Sequence, residues 1–234
     1  MMDADYPTQS LSGEKVATSE RDVPARSGTV GLVLCGGAGR RMGGRDKGLI
    51  DVDGRPAVAR ALELLKPLCD NCFISANRNE DRYASLNMGS VVGDLRADLQ
   101  GPLAGIEAII PALTPATECR RLLLLPCDLP QLSGEVPKLL LAELDARPDL
   151  DIVYAGTEGQ SHYLCAALRA EILKSVRKQL DEGERAVHRW YALHASAVLL
   201  FNGVLADGFM NINTNEDRNL RPLVAGLRQN SSER

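Results

Sequence analysis

TVGLVLCGGAGRRMGGRDKGL, residues 29–49, joins a short apolar run to a loop rich in glycine and arginine. Thr29 to Cys35 is β-branched and apolar and stops at a glycine, which predicts a buried strand. The glycines after it let the backbone approach a ligand and leave N–H groups free to point at anionic oxygens. Arg40, Arg41, Arg45 and Lys47 concentrate positive charge in a chain whose net charge is −4. That local cluster suits a triphosphate. The loop alone also reads as a surface glycine loop with solvated arginines.

Two familiar phosphate motifs are excluded. Gly39 and Gly44 have P-loop spacing, but Arg45-Asp46 stands where Lys-Ser or Lys-Thr is needed, so the hydroxyl that would bind Mg²⁺ there is missing. A dinucleotide fingerprint would place a small third residue where Met42 stands, and Met42 would spoil the close helix–strand packing.

Outward from the loop, strands and helices alternate. Helical spacing runs from Pro56 to Leu68, with Val58, Ala61, Leu62 and Leu65 on one face. Strands are predicted at Cys72 to Ala76, Ser90 to Val92, Leu122 to Leu125, Ile152 to Ala155, Tyr163 to Leu168 and Ala195 to Phe201. Helices are predicted at Leu103 to Leu113, Gly134 to Leu144, Glu171 to Leu180 and from Glu216. This order implies a single-domain α/β fold, a mostly parallel Rossmann-like sheet with helices on both faces. Ligands of such sheets bind outside the C-terminal strand edge. Residues 1–28 lack apolar periodicity and are expected to form a flexible N-terminal tail, with the domain spanning 29–234.

Composition narrows the function classes. The chain has 234 residues, 44% hydrophobic and 25% charged, which suits one α/β domain with a substantial core. The negative net charge argues against general attraction to nucleic acid or anionic membrane. The N-terminus is acidic and polar, unlike a secretory signal, and no stretch is long and apolar enough to span a bilayer, so a cytoplasmic location is expected. Cys69 and Cys72 form a lone CxxC without further zinc ligands nearby; burial is its simpler reading. The other cysteines, Cys35, Cys119, Cys127 and Cys165, are expected to be free thiols.

An acidic site is expected where Leu122 to Leu125 ends in Pro126-Cys127-Asp128-Leu129-Pro130. A carboxylate at a strand end suits Mg²⁺, which takes oxygen ligands and shares them with substrate phosphates. Asp128 there could equally be a turn or capping residue. Asn211-Ile212-Asn213-Thr214 could place two amides on one face of a strand end, or begin a helix; both can hold.

The run LCGGAGRRMGGRDKGL resembles the signature of the molybdenum cofactor guanylyltransferases, the MobA-like nucleotidyltransferases. The similarity continues through SANR (Ser75 to Arg78), VVGD (ending at Asp94), GPLAGI (Gly101 to Ile106), PCDLP (Pro126 to Pro130) and NINT (Asn211 to Thr214). The resemblance implies a glycosyltransferase-A-like nucleotide-binding fold. It implies transfer of GMP from GTP to the terminal phosphate of Mo-molybdopterin, with release of pyrophosphate and with Mg²⁺ as cofactor. It implies nucleotide contacts at Leu34, Cys35, Gly36, Gly37, Gly39, Gly44, Lys47, Ser75, Asp94 and Asp128, with Mg²⁺ on Asp128. Arg41, Lys47 and Asp128 would carry catalysis; Asn211, Asn213 and His162 would lie toward the acceptor. GTP and molybdopterin would be substrates, with transient contact to proteins that deliver molybdopterin or mature molybdoenzymes. Related alternatives are a pterin cytidylyltransferase, a sugar-phosphate nucleotidyltransferase and a non-catalytic molybdopterin carrier. The chain departs from the family pattern at Ser75, where Asn is frequent, at Cys35, where Ala is usual, and at Asn215, where Pro often stands.

Overall fold

The apolar run after residue 28 forms the strand around which everything else is arranged. The computed structural model describes residues 9–11, 28–35, 46–97, 100–113 and 118–210. Its strands are β1 (Gln9–Leu11), β2 (Thr29–Leu34), β3 (Asp51–Val52), β4 (Arg55–Pro56), β5 (Asn71–Ser75), β6 (Ser90–Val92), β7 (Arg121–Pro126), β8 (Ile152–Thr157), β9 (Gln160–Arg169) and β10 (Ser196–Phe201). Its helices are α1 (Ala57–Leu65), α2 (Glu80–Ala84), α3 (Pro102–Ile109), α4 (Glu135–Ala146), α5 (Val176–Asp181), α6 (Val187–Tyr191) and α7 (Val204–Asp207).

Among the described residues eight strands form one sheet in the order β1-β10-β8-β9-β7-β2-β5-β6, and β3 and β4 form a separate antiparallel pair. All neighbours in the large sheet are parallel except β9, which runs against β7 and β8. The expected mostly parallel α/β sheet is thus observed.

Both faces of β2 and β7 are covered, which is why their sequences are apolar throughout rather than alternating with polar residues. Val30, Leu32, Leu34, Leu122 and Leu124 point into one core with Ile106 and Ile109 of α3, Leu180 of α5 and Trp190 of α6. Val33, Leu123 and Leu125 point into the other, with Val58, Leu62 and Leu65 of α1 and Val136, Leu140 and Leu144 of α4. A one-residue slip of either strand would exchange these faces, so the two cores together fix the register.

Two expectations need amendment. Gln9–Leu11 lie within the segment expected to be a flexible tail, yet pair in parallel with Leu199–Phe201 of β10. An edge strand this short needs only backbone hydrogen bonds, so no side-chain periodicity marks it. The helix expected over Glu171 to Leu180 is in fact a 3₁₀ segment, Ala170–Ser175, followed by α5. The helix expected from Glu216 lies outside the described residues.

The CxxC is a packing feature. Cys69 is buried, Cys72 is half-buried, and both sulfurs lie close to Gly31 of β2. All six cysteines are free thiols. Among the described residues no helix is long and apolar enough to cross a membrane.

Candidate functional site

The parallel strands β2, β5, β6 and β7 end at one edge of the sheet, and the sequence-predicted residues gather there. Leu34 and Cys35 close β2, Ser75 closes β5, Asp94 follows β6, and Asp128 follows β7. Backbone hydrogen bonds hold these ends together: Cys35 N donates to Ser75 O at 2.9 Å, and Cys127 N donates to Leu34 O at 3.2 Å. β9 is antiparallel, so its beginning, with His162, lies at the edge where β8 ends.

Lys47 opens a 3₁₀ turn, Lys47–Leu49, and Asp128 sits 81 residues later. Their side chains meet: Lys47 Nζ donates to Asp128 Oδ2 at 2.9 Å. Lys47 is 33% exposed and Asp128 18%, so the pair faces the solvent edge rather than the core. A pair this accessible contributes little to stability, ~0–1 kcal/mol. Asp128 belongs to no regular element and caps no helix (α4 begins later, at Glu135). The capping alternative therefore has no support in the structure, whereas the turn alternative does, since Asp128 stands in the turn that follows β7.

Asp94 is held by a residue that the sequence reading did not single out. Asn77 Nδ2 donates to Asp94 Oδ2 at 2.7 Å, and Asp94 N donates to Asn77 Oδ1 at 2.7 Å. This reciprocal pair fixes the carboxylate's direction and leaves Oδ1 for another donor. Partial burial raises the Asp94 pKa, opposed by the Asn77 hydrogen bond, and the charge of Glu107 raises it further. Arg96 pins the following segment: its guanidinium forks onto buried Glu107 of α3 at 2.7 and 2.8 Å and reaches Asp181 of α5 at 2.7 Å.

Ser75, expected at the nucleotide, is 1% exposed and lies beneath α3. A Cβ built on Gly105 would lie 2.6 Å from Ser75 Oγ and 2.7 Å from Leu34 Cδ2, so the helix rides directly on the strand ends. The serine stands where a small side chain must fit beneath the helix. Gly105→Ala should overpack this contact, costing about 1–3 kcal/mol. At roughly 2–4 °C per kcal/mol for a domain of this size, thermal melting should show a fall of roughly 2–12 °C. An unchanged melting temperature would mean that α3 can move away freely.

Cys35, expected at the nucleotide, is also buried. Its thiol is hydrogen-bonded with Cys127, and burial pushes its pKa well above the ordinary range. It is a neutral packing group, and its backbone N–H is committed to Ser75 O.

His162 is half-buried, its Nε2 3.0 Å from Thr157 Oγ1, and its ring stacks on Phe209 with centroids 4.4 Å apart. Burial lowers its pKa, which favours the neutral imidazole. Gly208, beside Phe209, packs against Gln131 and Leu132 in the loop that carries Asp128. His162 thus packs on Phe209, whose neighbour Gly208 meets the loop after Asp128. Arg41, Gly36, Gly37, Gly39, Gly44, Asn211 and Asn213 lie outside the described residues.

A carboxylate beside a lysine at the C-terminal sheet edge matches the oxygen donors that a hard divalent cation shares with phosphates. Among the described residues there is no cluster of three or more His, Cys, Asp or Glu that could hold a metal ion by itself.

Comparison with known proteins extends this geometry. The sequence pattern described as "MobA-like NTP transferase domain" matches residues 31–197. A molybdenum cofactor guanylyltransferase of Shewanella sediminis is 35% identical over 187 residues, which cover 80% of this chain and 92% of that protein. Among solved structures, molybdopterin-guanine dinucleotide biosynthesis protein A of Archaeoglobus fulgidus superposes with a TM-score of 0.63. The identity is 18%, over 81% of this chain and 94% of that one. A 4-diphosphocytidyl-2C-methyl-D-erythritol synthase of Anaerococcus prevotii gives 0.60 at 14% identity, over 82% and 93%. At these identities the structural likeness speaks for the fold.

Proposed function

This chain belongs to the MobA-like NTP transferase domain family, and we propose that it transfers GMP from GTP to the terminal phosphate of Mo-molybdopterin. The products are molybdopterin guanine dinucleotide and pyrophosphate. The observation that carries the reading is the Lys47–Asp128 contact, which unites the end of the glycine-rich loop with the strand-end carboxylate.

The acceptor phosphate oxygen attacks the α-phosphorus in line, and the bond to pyrophosphate breaks. The nucleophile is already anionic, so positioning and charge neutralisation suffice without a strong base. Arg41, Lys47 and the backbone N–H groups of Gly36, Gly37 and Gly39 hold the β- and γ-phosphates. In the free protein Lys47 is satisfied by Asp128. A bound triphosphate gives Lys47 new acceptors and leaves Asp128 free to hold a divalent cation, assigned here as Mg²⁺. Bound there, Mg²⁺ supplies positive charge where negative charge develops on the phosphoryl oxygens.

Asp94, oriented by Asn77, is assigned to the nucleotide, as are Leu34 and Gly44. Asn211, Asn213 and His162 are assigned to the acceptor. Transient partners are the proteins that deliver molybdopterin or receive the finished cofactor, and a cytoplasmic location suits these substrates.

The test is product analysis by mass spectrometry after incubation with Mo-molybdopterin and either GTP or CTP. The guanine dinucleotide as the dominant product supports the assignment. A cytosine dinucleotide, or an unmodified pterin with both nucleotides, overturns it.

A further inference from the structure

Asp46 immediately precedes Lys47, and both of its carboxylate oxygens are taken, one by α2 and one by the residue before it. Tyr83 Oη donates to Asp46 Oδ1 at 2.5 Å, and Asn79 Nδ2 donates to Asp46 Oδ2 at 3.0 Å. Three features distinguish this clasp from an ordinary surface contact. Tyr83 is 0% exposed, so its hydroxyl reaches Asp46 from inside the core. Gly48 makes the passage possible, because a Cβ there would collide with the Tyr83 oxygen. Asn79 precedes α2 in the left-handed region, at φ 56°, and its side chain caps nothing.

Asparagine at a helix N-cap ordinarily accepts from the first turn's N–H groups. Here its amide goes to Asp46 instead. A non-glycine residue held at positive φ persists where its surroundings over-determine it. Burial, then the neighbouring Cys35 and the acceptor Asp46, raise the Tyr83 pKa far above its ordinary value, so the hydroxyl remains a donor.

We propose that Tyr83, together with Asn79, is a positioning residue: it anchors Asp46 so that the Lys47 ammonium is presented to the triphosphate at the Asp128 edge. The inference rests on the reading that Lys47 meets the phosphates. It adds that the lysine's placement comes from a buried hydroxyl on a separate helix. With one flexible lysine stem facing solvent, a fixed backbone origin limits the volume its charge samples.

The test is steady-state and single-turnover kinetics of the full chain with Mg²⁺, GTP and Mo-molybdopterin. Tyr83→Phe removes one oxygen and keeps the ring. It should lower kcat/KM for GTP about tenfold in the wild-type background and have no further effect in a Lys47→Ala background, since residues acting through one group are not additive. Asn79→Gly accepts the left-handed backbone freely and should give a smaller loss with the same dependence on Lys47. It carries the test if Tyr83→Phe fails to fold, which a melting curve reveals. Wild-type kinetics in both variants, or equal losses with and without Lys47, would overturn the positioning role. A Lys47→Ala enzyme that retains full turnover would instead overturn the phosphate reading on which the inference stands.

Discussion

Asp128→Ala should abolish most turnover while leaving the fold intact. The aspartate follows β7 at the sheet edge, and its side chain accepts a hydrogen bond from a lysine that is itself one-third exposed. Losing that contact costs about 1 kcal/mol or less, so the melting temperature should move by a few degrees at most. Losing the carboxylate to which the divalent cation is assigned should slow the reaction by roughly 10²-fold or more, the scale of a removed electrostatic stabiliser. The informative measurement pairs a melting curve with initial rates over a range of Mg²⁺ concentrations. Near-normal Mg²⁺-dependent turnover would move the metal elsewhere. A collapsed melting temperature would make Asp128 a structural residue.

The second large effect concerns the base. Guanine presents N1–H and N2–H₂ side by side, and a carboxylate accepts from such donors. Asp94 follows β6 at the C-terminal sheet edge, with Oδ2 already receiving Asn77. A site built on hydrogen bonds of this kind can reject a mismatched ligand by as much as ~10⁴-fold. Asp94→Asn should therefore weaken GTP binding more than ATP binding, because the new amide places a donor against a donor. Asn77→Asp should act similarly by setting two carboxylates against each other. Titration of both nucleotides into each variant decides the matter. Equal losses for GTP and ATP would place Asp94 at the ribose or in the framework. The raised pKa of Asp94 adds a sign: its charged form is the acceptor, so GTP affinity should fall as pH drops into the acid range, and should do so earlier than for an ordinary aspartate.

How far the sequence could be read depended on whether a feature had a period. Val30 to Leu34 and Leu122 to Leu125 are unbroken apolar runs bounded by glycine or proline, and both became doubly covered strands. The reversal of β9 was not read, because Tyr163 to Leu168 is equally apolar whichever way it runs. Its one local mark is the two-residue turn at Glu158-Gly159, where Gly159 has φ 71° between the paired Thr157 and Gln160. α2 and α6 have five residues each, too few for helical periodicity to register.

The site divides the same way. Lys47 and Asp128 were legible because charge at a strand end or in a glycine loop is conspicuous, and the fold brings them to 2.9 Å. Asn77 on Asp94 and Tyr83 on Asp46 were not legible. A side chain that orients another across 17 or 37 residues leaves no spacing rule behind it. The burial of Ser75 was not legible for a related reason: its position in a motif says nothing of the helix that Gly105 allows to settle over it.

Pyrophosphate release is the most direct measure of the central claim. With GTP and Mg²⁺ the 234-residue chain should release almost none until Mo-molybdopterin is added, and then one pyrophosphate for each pterin consumed, with ATP and CTP far slower. Release of inorganic phosphate from GTP without the pterin, or pyrophosphate formation indifferent to both base and acceptor, would contradict the assignment of this protein as a guanylyltransferase.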